Sequence, residues 1–170
     1  MSLFGLALTT TRRGDARRAG ELAREGLAVS RAMADPWFTS YFLWLVSLST
    51  LALGEPAQAH AEAEEAYAVA TGIGVDLLVA CALEALARSA HALGDDHAAE
   101  RRLAEGLEVA ARGGVPKSYV AALHRARAEI AAGRGDVEGA SASARESLSI
   151  ARDVGDAWAV ERASELLVGS

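Results

Sequence analysis

A chain of 170 residues, 51% hydrophobic and 24% charged, has room for one sizeable core and the make-up of an ordinary globular domain, which excludes a disordered polar tail. Its 17 basic and 23 acidic side chains leave a formal charge of −6. The arginines are scattered among carboxylates, so no broad face is set up to attract phosphates and nucleic acid is not expected as a direct partner.

Glycine followed by an acidic residue punctuates the chain at Gly14-Asp15, Gly54-Glu55, Gly94-Asp95 and Gly135-Asp136, forty or forty-one residues apart. A fixed period of this length, without strand-like alternation, is the mark of an α-helical repeat array. Repeats are expected at about 14–53, 54–93, 94–134 and 135–170, preceded by a partial unit at 1–13, all within one domain spanning 1–170. In each unit Asp15, Glu55, Asp95 or Asp136 is placed to cap the first helix, and Pro56 suits a first helical position. The small residues Gly26, Ala66, Gly106 and Ser147 recur twelve positions past the glycine, among apolar positions that trace one helical face.

A second glycine column, Gly74, Gly114 and Gly155, closes the first helix in a left-handed conformation. Asp35 and Asp156 are placed to cap the second, which carries Leu43, Leu83 and Leu123, then Val46, Leu86, Ala126 and Leu167. About nine helices follow, near 1–13, 15–33, 36–53, 55–72, 75–93, 95–112, 116–133, 136–153 and 156–168. The count is odd. Starting mid-unit and ending on Leu166-Leu167, the chain is expected to be a segment of a larger protein, because repeat arrays end in polar capping units.

The opening Met-Ser-Leu lacks the basic start and apolar run of a secretory signal, and a cytoplasmic location is expected. No charge occurs between Asp35 and Glu55, yet this stretch is short for a span, begins with Pro36 and carries five serine and threonine side chains, Thr39, Ser40, Ser47, Ser49 and Thr50. It also sits in register with the other helices, so no membrane segment is expected.

Leu83, Leu86, Gly94, Ala99, Gly106 and Leu107 resemble the tetratricopeptide repeat, with six residues more than its usual unit. Where that repeat carries an aromatic, this chain has Ala23, Ala63, Leu103 and Ala144; where it carries a tyrosine, Thr50, Ala90 and Ile130 stand. The longer unit, as in Gly14-Asp15-Ala16-Arg17-Arg18-Ala19, looks like the repeats that end MalT-like and LuxR-type bacterial transcription regulators. The resemblance implies an all-α, right-handed solenoid of antiparallel helix pairs acting as a sensory or scaffolding segment. It also implies a concave groove lined by Tyr41, Trp44, Leu48 and Leu51 at an aromatic end and by Glu84, Arg88, His91 and His124 further along.

Two roles stay open for Trp37, Tyr41 and Trp44: anchors for a partner, or filling between helices. The leading expectation is a non-enzymatic protein- or peptide-binding scaffold. The alternative is a small-molecule effector site in the same curve, using Trp44, Glu84, Arg88 and His124, and a third reading is self-assembly, with a homodimer through terminal helices bearing Trp158, Leu166 and Leu167. A P-loop would need Gly-Lys-Ser/Thr, whereas Lys117, the one lysine, follows Pro116. His60 and His97 stand apart from the other histidines in register and no two histidines have His-x-x-x-His spacing, so neither metal nor cofactor is expected and no residue is assigned a catalytic role. Cys81 reads as a buried apolar thiol. Arg13-Gly14-Asp15 and Arg134-Gly135-Asp136 spell an adhesion tripeptide but are explained by turn and cap, and Arg12, Arg13, Arg17 and Arg18 as a solvated face near Glu21 and Glu25.

Overall fold

A computed structural model describes residues 3–168. Among them lie nine α-helices and no strand: α1 (Leu3–Arg12), α2 (Ala16–Ala32), α3 (Pro36–Ala52), α4 (Pro56–Ile73), α5 (Asp76–Ala92), α6 (Asp96–Ala111), α7 (Lys117–Gly133), α8 (Val137–Asp153) and α9 (Ala157–Val168). The fold is all-α. The first two residues of the expected opening helix and the last two of the final unit lie outside the described residues.

The helix starts follow from the acidic residues before them. Carboxylates of Asp15, Asp35, Asp95, Asp136 and Asp156 accept the backbone N–H of Arg18, Phe38, Ala98, Gly139 and Ala159, at 2.8–3.1 Å. Each satisfies one of the donors that a helix start leaves without a partner, worth about 1 kcal/mol. Glu55 departs from the expectation: it makes no such bond, and Pro56, which has no N–H to satisfy, opens α4 instead. The expected left-handed turn at Gly114 falls one residue earlier, on Gly113 at φ 91°, because the chain must still reach Pro116 in an extended conformation before α7. In the first unit, where no glycine is available, Ala34 takes the left-handed position at φ 51°.

Every helix packs against its neighbours in sequence, and the odd-numbered helices α1, α3, α5, α7 and α9 also pack one on the next. The core lies in that odd row. Residues 40–47 of α3 and 78–87 of α5 are buried without interruption, which a helix shows only when it is enclosed on all sides. Leu43, Leu83 and Leu123, recurring at one position of the repeat, are each about 1% exposed or less, and burying each contributes about 1.5–3 kcal/mol.

The hydroxyl groups of the uncharged stretch are consumed by close helix approach. Ser40 Oγ donates to the carbonyl of Ala66 at 3.0 Å and Ser47 Oγ to that of Ala59 at 2.7 Å, tying α3 to α4; Ser49 Oγ bonds back to Leu45 O. Ser147 Oγ repeats the device between α8 and α7, donating to Ala121 O at 2.9 Å. Such bonds require slim neighbours, which the alanines Ala59, Ala63, Ala66 and Ala70 of α4 provide. Among the described residues no helix is long and apolar enough to cross a membrane.

Candidate ligand-binding site

The odd row curls until its two ends meet. Arg12, at the end of α1, pairs with Asp156, the cap of α9, through Nη2–Oδ2 at 3.0 Å, and Trp158 Nε1 donates to the Arg12 carbonyl at 2.9 Å. The indole of Trp158 stacks with two guanidinium groups, Arg12 at 4.9 Å and Arg125 at 4.6 Å from its centroid. Cation–π contacts of this kind are worth about 0.5–2 kcal/mol each. The contacts of Arg12 join residues more than a hundred positions apart.

Inside this closure is a cavity of ≈ 210 Å³ to which all five odd helices contribute and no even helix does. Its walls are apolar and aromatic, from Leu8, Leu48, Ala122, Trp44, Tyr119 and Trp158, with charge from Arg12, Glu84, Arg125 and Asp156. Trp44 packs edge-on to Tyr41 at 5.2 Å and tilted to Tyr119 at 6.0 Å. Its Nε1–H is buried and has no hydrogen-bond acceptor among the described residues, a state that costs about 1–3 kcal/mol when nothing else fills it.

Below the cavity runs a chain of charges. Arg88 Nε donates to Glu84 Oε1 at 3.0 Å, and Arg88 Nη1 to Glu129; Arg125 Nε stands 3.6 Å from the other oxygen of Glu129, in ion-pair range but beyond a hydrogen bond. Burial alone would lower the Arg88 pKa, but Glu129 and Glu84 together raise it above the ordinary arginine value. Glu129 is shifted upward by burial and downward, more strongly in sum, by Arg88 and Arg125, and ends below the usual carboxylate range. For Arg125 the balance goes the other way: burial, then the neighbouring Arg88, lower it by more than Glu84 and Glu129 raise it. Beside the aromatic wall the hydroxyls of Tyr41 and Tyr119 lie 3.4 Å apart, and burial raises the pKa of both, so both are neutral at physiological pH.

No protein-family model matches the chain, and no curated protein is significantly similar to it. The site therefore stands on its geometry.

Of the eight residues expected to line a groove, the structure gathers four around or behind this cavity. Trp44, Leu48 and Glu84 line it, and Tyr41 backs Trp44. They are not laid out along an open trough: Tyr41 is 0%, Trp44 5% and Glu84 4% exposed. Arg88 sits one layer deeper, holding Glu84. Leu51 is half-buried near the end of α3 and outside the cavity wall. His91 pairs with Asp96 at 2.5 Å, and His124 lines a separate depression with Glu100, Arg127 and Glu146.

Leu8, Arg12, Tyr119, Arg125, Asp156 and Trp158 were not among the residues expected. Tyr119, Ala122 and Arg125 follow at steps of three along one face of α7, a signal available in the sequence. The meeting of Arg12 with Trp158 has no local signature. Among the described residues no group of three or more His, Cys, Asp or Glu side chains is placed to hold a metal ion. Cys81 is buried, and burial pushes its thiol well above the ordinary range, so it behaves as a small apolar side chain.

Proposed function

We propose that the chain is a non-enzymatic binding module, a right-handed solenoid of antiparallel helix pairs of tetratricopeptide-like type, and that its inner face receives a small-molecule effector. One observation carries this reading. The five odd helices converge on a single cavity that the Arg12–Asp156 and Trp158–Arg12 contacts bridge from end to end, and it sets charged groups, Arg125 among them, on an otherwise apolar wall. A mostly apolar recess with a few convergent polar groups is the usual form of a small-molecule site. An extended peptide would need a continuous open trough, and Tyr41, Trp44 and Glu84 are covered by their neighbours. Following the resemblance to bacterial regulators, such a module is the sensory segment, in which ligand binding across α1 and α9 sets the spacing of the two ends.

The test is a panel of single-ring compounds, acidic, neutral and basic, titrated while the indole N–H resonances of the three tryptophans are followed. Saturable shifts of Trp44 and Trp158, larger than any at Trp37, are expected. Absence of such shifts with every probe removes the reading.

A protein partner is the second reading, and it rests on another surface. Val29, Met33, Trp37, Phe38 and Phe42 surround an apolar depression of ≈ 380 Å³ between α2 and α3, and Met33 is 72% exposed. Met33→Glu abolishes docking there while leaving the inner cavity untouched, which keeps the two readings separable.

A further inference from the structure

The chemistry of the inner cavity narrows its ligand, on the footing that the small-molecule reading holds. Consider first what the charged side chains already do. Glu84 accepts from Arg88, Glu129 accepts from Arg88, and Asp156 accepts from Arg12 and from the backbone N–H of Ala159. The carboxylates of the site are thus engaged. Arg88 and Arg12 are engaged with them. Arg125 differs: its side chain is 13% exposed and lines the cavity, yet it donates no hydrogen bond among the described residues. One face of its guanidinium lies over Trp158, which leaves its in-plane N–H donors to be satisfied from the cavity.

A guanidinium that makes no hydrogen bond among the described residues keeps N–H donors open to the cavity, and the group that matches its planar fork is a carboxylate. The Nε1–H of Trp44 also lacks an acceptor among the described residues, but it is buried and not open to the cavity, so the acid group falls to Arg125. Beside Arg125 the cavity is lined by Trp44, Tyr119, Leu8, Leu48 and Ala122, a wall suited to an apolar ring. Size sets the limit. A cavity of about 150 Å³ admits benzene, so ≈ 210 Å³ admits one ring with a short polar arm and not a nucleotide, a sugar chain or a peptide. A doubly charged phosphate fits the electrostatics poorly, since Glu84 and Glu129 stand close to the one guanidinium that would receive it.

We infer that the inner cavity is a site for a compact aromatic carboxylate, its acid group held by Arg125 and its ring packed against the apolar and aromatic wall formed by Leu8, Leu48, Trp44 and Tyr119.

The experiment uses the 170-residue protein with benzoate and phenylacetate as acidic probes, benzamide as the neutral isostere and benzylamine as the basic one, each titrated by calorimetry and by tryptophan N–H shifts. An acidic probe is expected to bind saturably, and benzamide about ten-fold or more weaker, the loss of one charge-assisted hydrogen bond. Arg125→Gln brings benzoate down to the benzamide level. Arg125→Lys keeps the charge without the fork and falls between wild type and Arg125→Gln. It serves in place of Arg125→Gln should that variant fail to show a cooperative melt.

Benzamide or benzylamine binding as tightly as benzoate, with Trp44 and Trp158 shifting, overturns the carboxylate assignment and leaves the small-molecule site standing. Benzoate binding that is indifferent to both Arg125 substitutions overturns the assignment too. Failure of all four probes to move Trp44 or Trp158 at millimolar concentration overturns both.

Discussion

The odd and even helices are held in place by different forces. In the odd row neighbouring helices join by packing: α3 and α5 are buried over eight and ten consecutive residues, respectively, and α1, α3, α5, α7 and α9 touch in turn. The even helices bury one stripe each, as Ala59, Ala63, Ala66 and Ala70 do on α4, and face one another across exposed ion pairs. Arg31 of α2 reaches Glu65 of α4 at 2.5 Å, Arg102 of α6 reaches Glu64 at 3.3 Å, and the Tyr67 hydroxyl donates to Glu105 at 2.7 Å. Packing of buried side chains is worth several times as much as exposed charge pairing. The odd row therefore sets the centre of the core and the shape of the site, while each even helix adds one buried stripe to that core and an outer face of exposed charge pairs.

The sharpest way to break that contrast is Trp44→Ala. A tryptophan 5% exposed at the centre of the odd row should cost about 3–5 kcal/mol when truncated, read from urea unfolding. An unchanged unfolding midpoint would place the side chain on a free surface and remove the distinction between the rows at its most important residue.

Next in size is a pair of substitutions at the small-residue column where an even helix meets an odd one. A Cβ on Gly26 would lie 2.3 Å from the ring of Phe42, which is itself 5% exposed, so Gly26→Ala forces the ring to move. The gain in helix propensity, up to about 1 kcal/mol, offsets only part of an overpacking cost of about 1–3 kcal/mol. Destabilisation is expected. At Gly106 the same Cβ meets a methyl of Leu123 at 3.1 Å, which can yield by a few tenths of an ångström, so Gly106→Ala should fall within about 0.5 kcal/mol of the parent. Equal effects at the two glycines would mean that α2–α3 and α6–α7 are packed alike.

Smaller still is the outer layer. Arg31→Ala and Arg102→Ala should each change stability by less than about 1 kcal/mol, with the difference disappearing in high salt. A larger loss from either would show that the even helices are held by more than their stripe.

The same contrast explains how far the fold could be read in advance. An even helix with one buried stripe carries a helical period in its sequence, so Ala19, Ala59, Ala99 and Ala140 are legible as a column, and the aspartates mark the starts because capping is local chemistry. The second glycine column was placed one residue off at Gly114, since either member of Gly113-Gly114 can turn left-handed and only the approach to Pro116 decides. The site was less legible. Groove positions on α3 and α5 presuppose one open face, whereas a helix enclosed on all sides has none, and the uncharged run from Pro36 to Leu53 is the sequence form of that enclosure on α3. Contributions from Arg12, Asp156 and Trp158 depend on how far the array bends over four units, which sums small packing angles and is written in no single unit. Arg125 fell on an expected helix but outside the columns counted, and its missing hydrogen bond is visible only once Glu129 is seen to lie 3.6 Å away.

The smallest effect separates two histidine-range and carboxylate-range contributions to stability. His124, half-buried beside Arg127 and Glu146, is lowered from its ordinary value of 6.5, chiefly by burial and against the pull of Glu146. The unfolded chain then takes up a proton near that ordinary value while the folded chain still holds a neutral imidazole. More protons are bound by the unfolded state, so stability falls as pH drops through about 6.5 and below. Glu129, lowered from 4.5 by Arg88 and Arg125 in spite of its burial, contributes stability that is present above that value and lost only as pH falls further. Unfolding midpoints measured from about pH 8 down to about pH 3 should therefore decline in two stages. His124→Gln removes the proton uptake of the first stage and leaves the second, whereas Glu129→Gln affects the second because it deprives Arg88 and Arg125 of their shared carboxylate. A first stage that persists unchanged in His124→Gln assigns it to another group and detaches the α7–α8 face from the acid response.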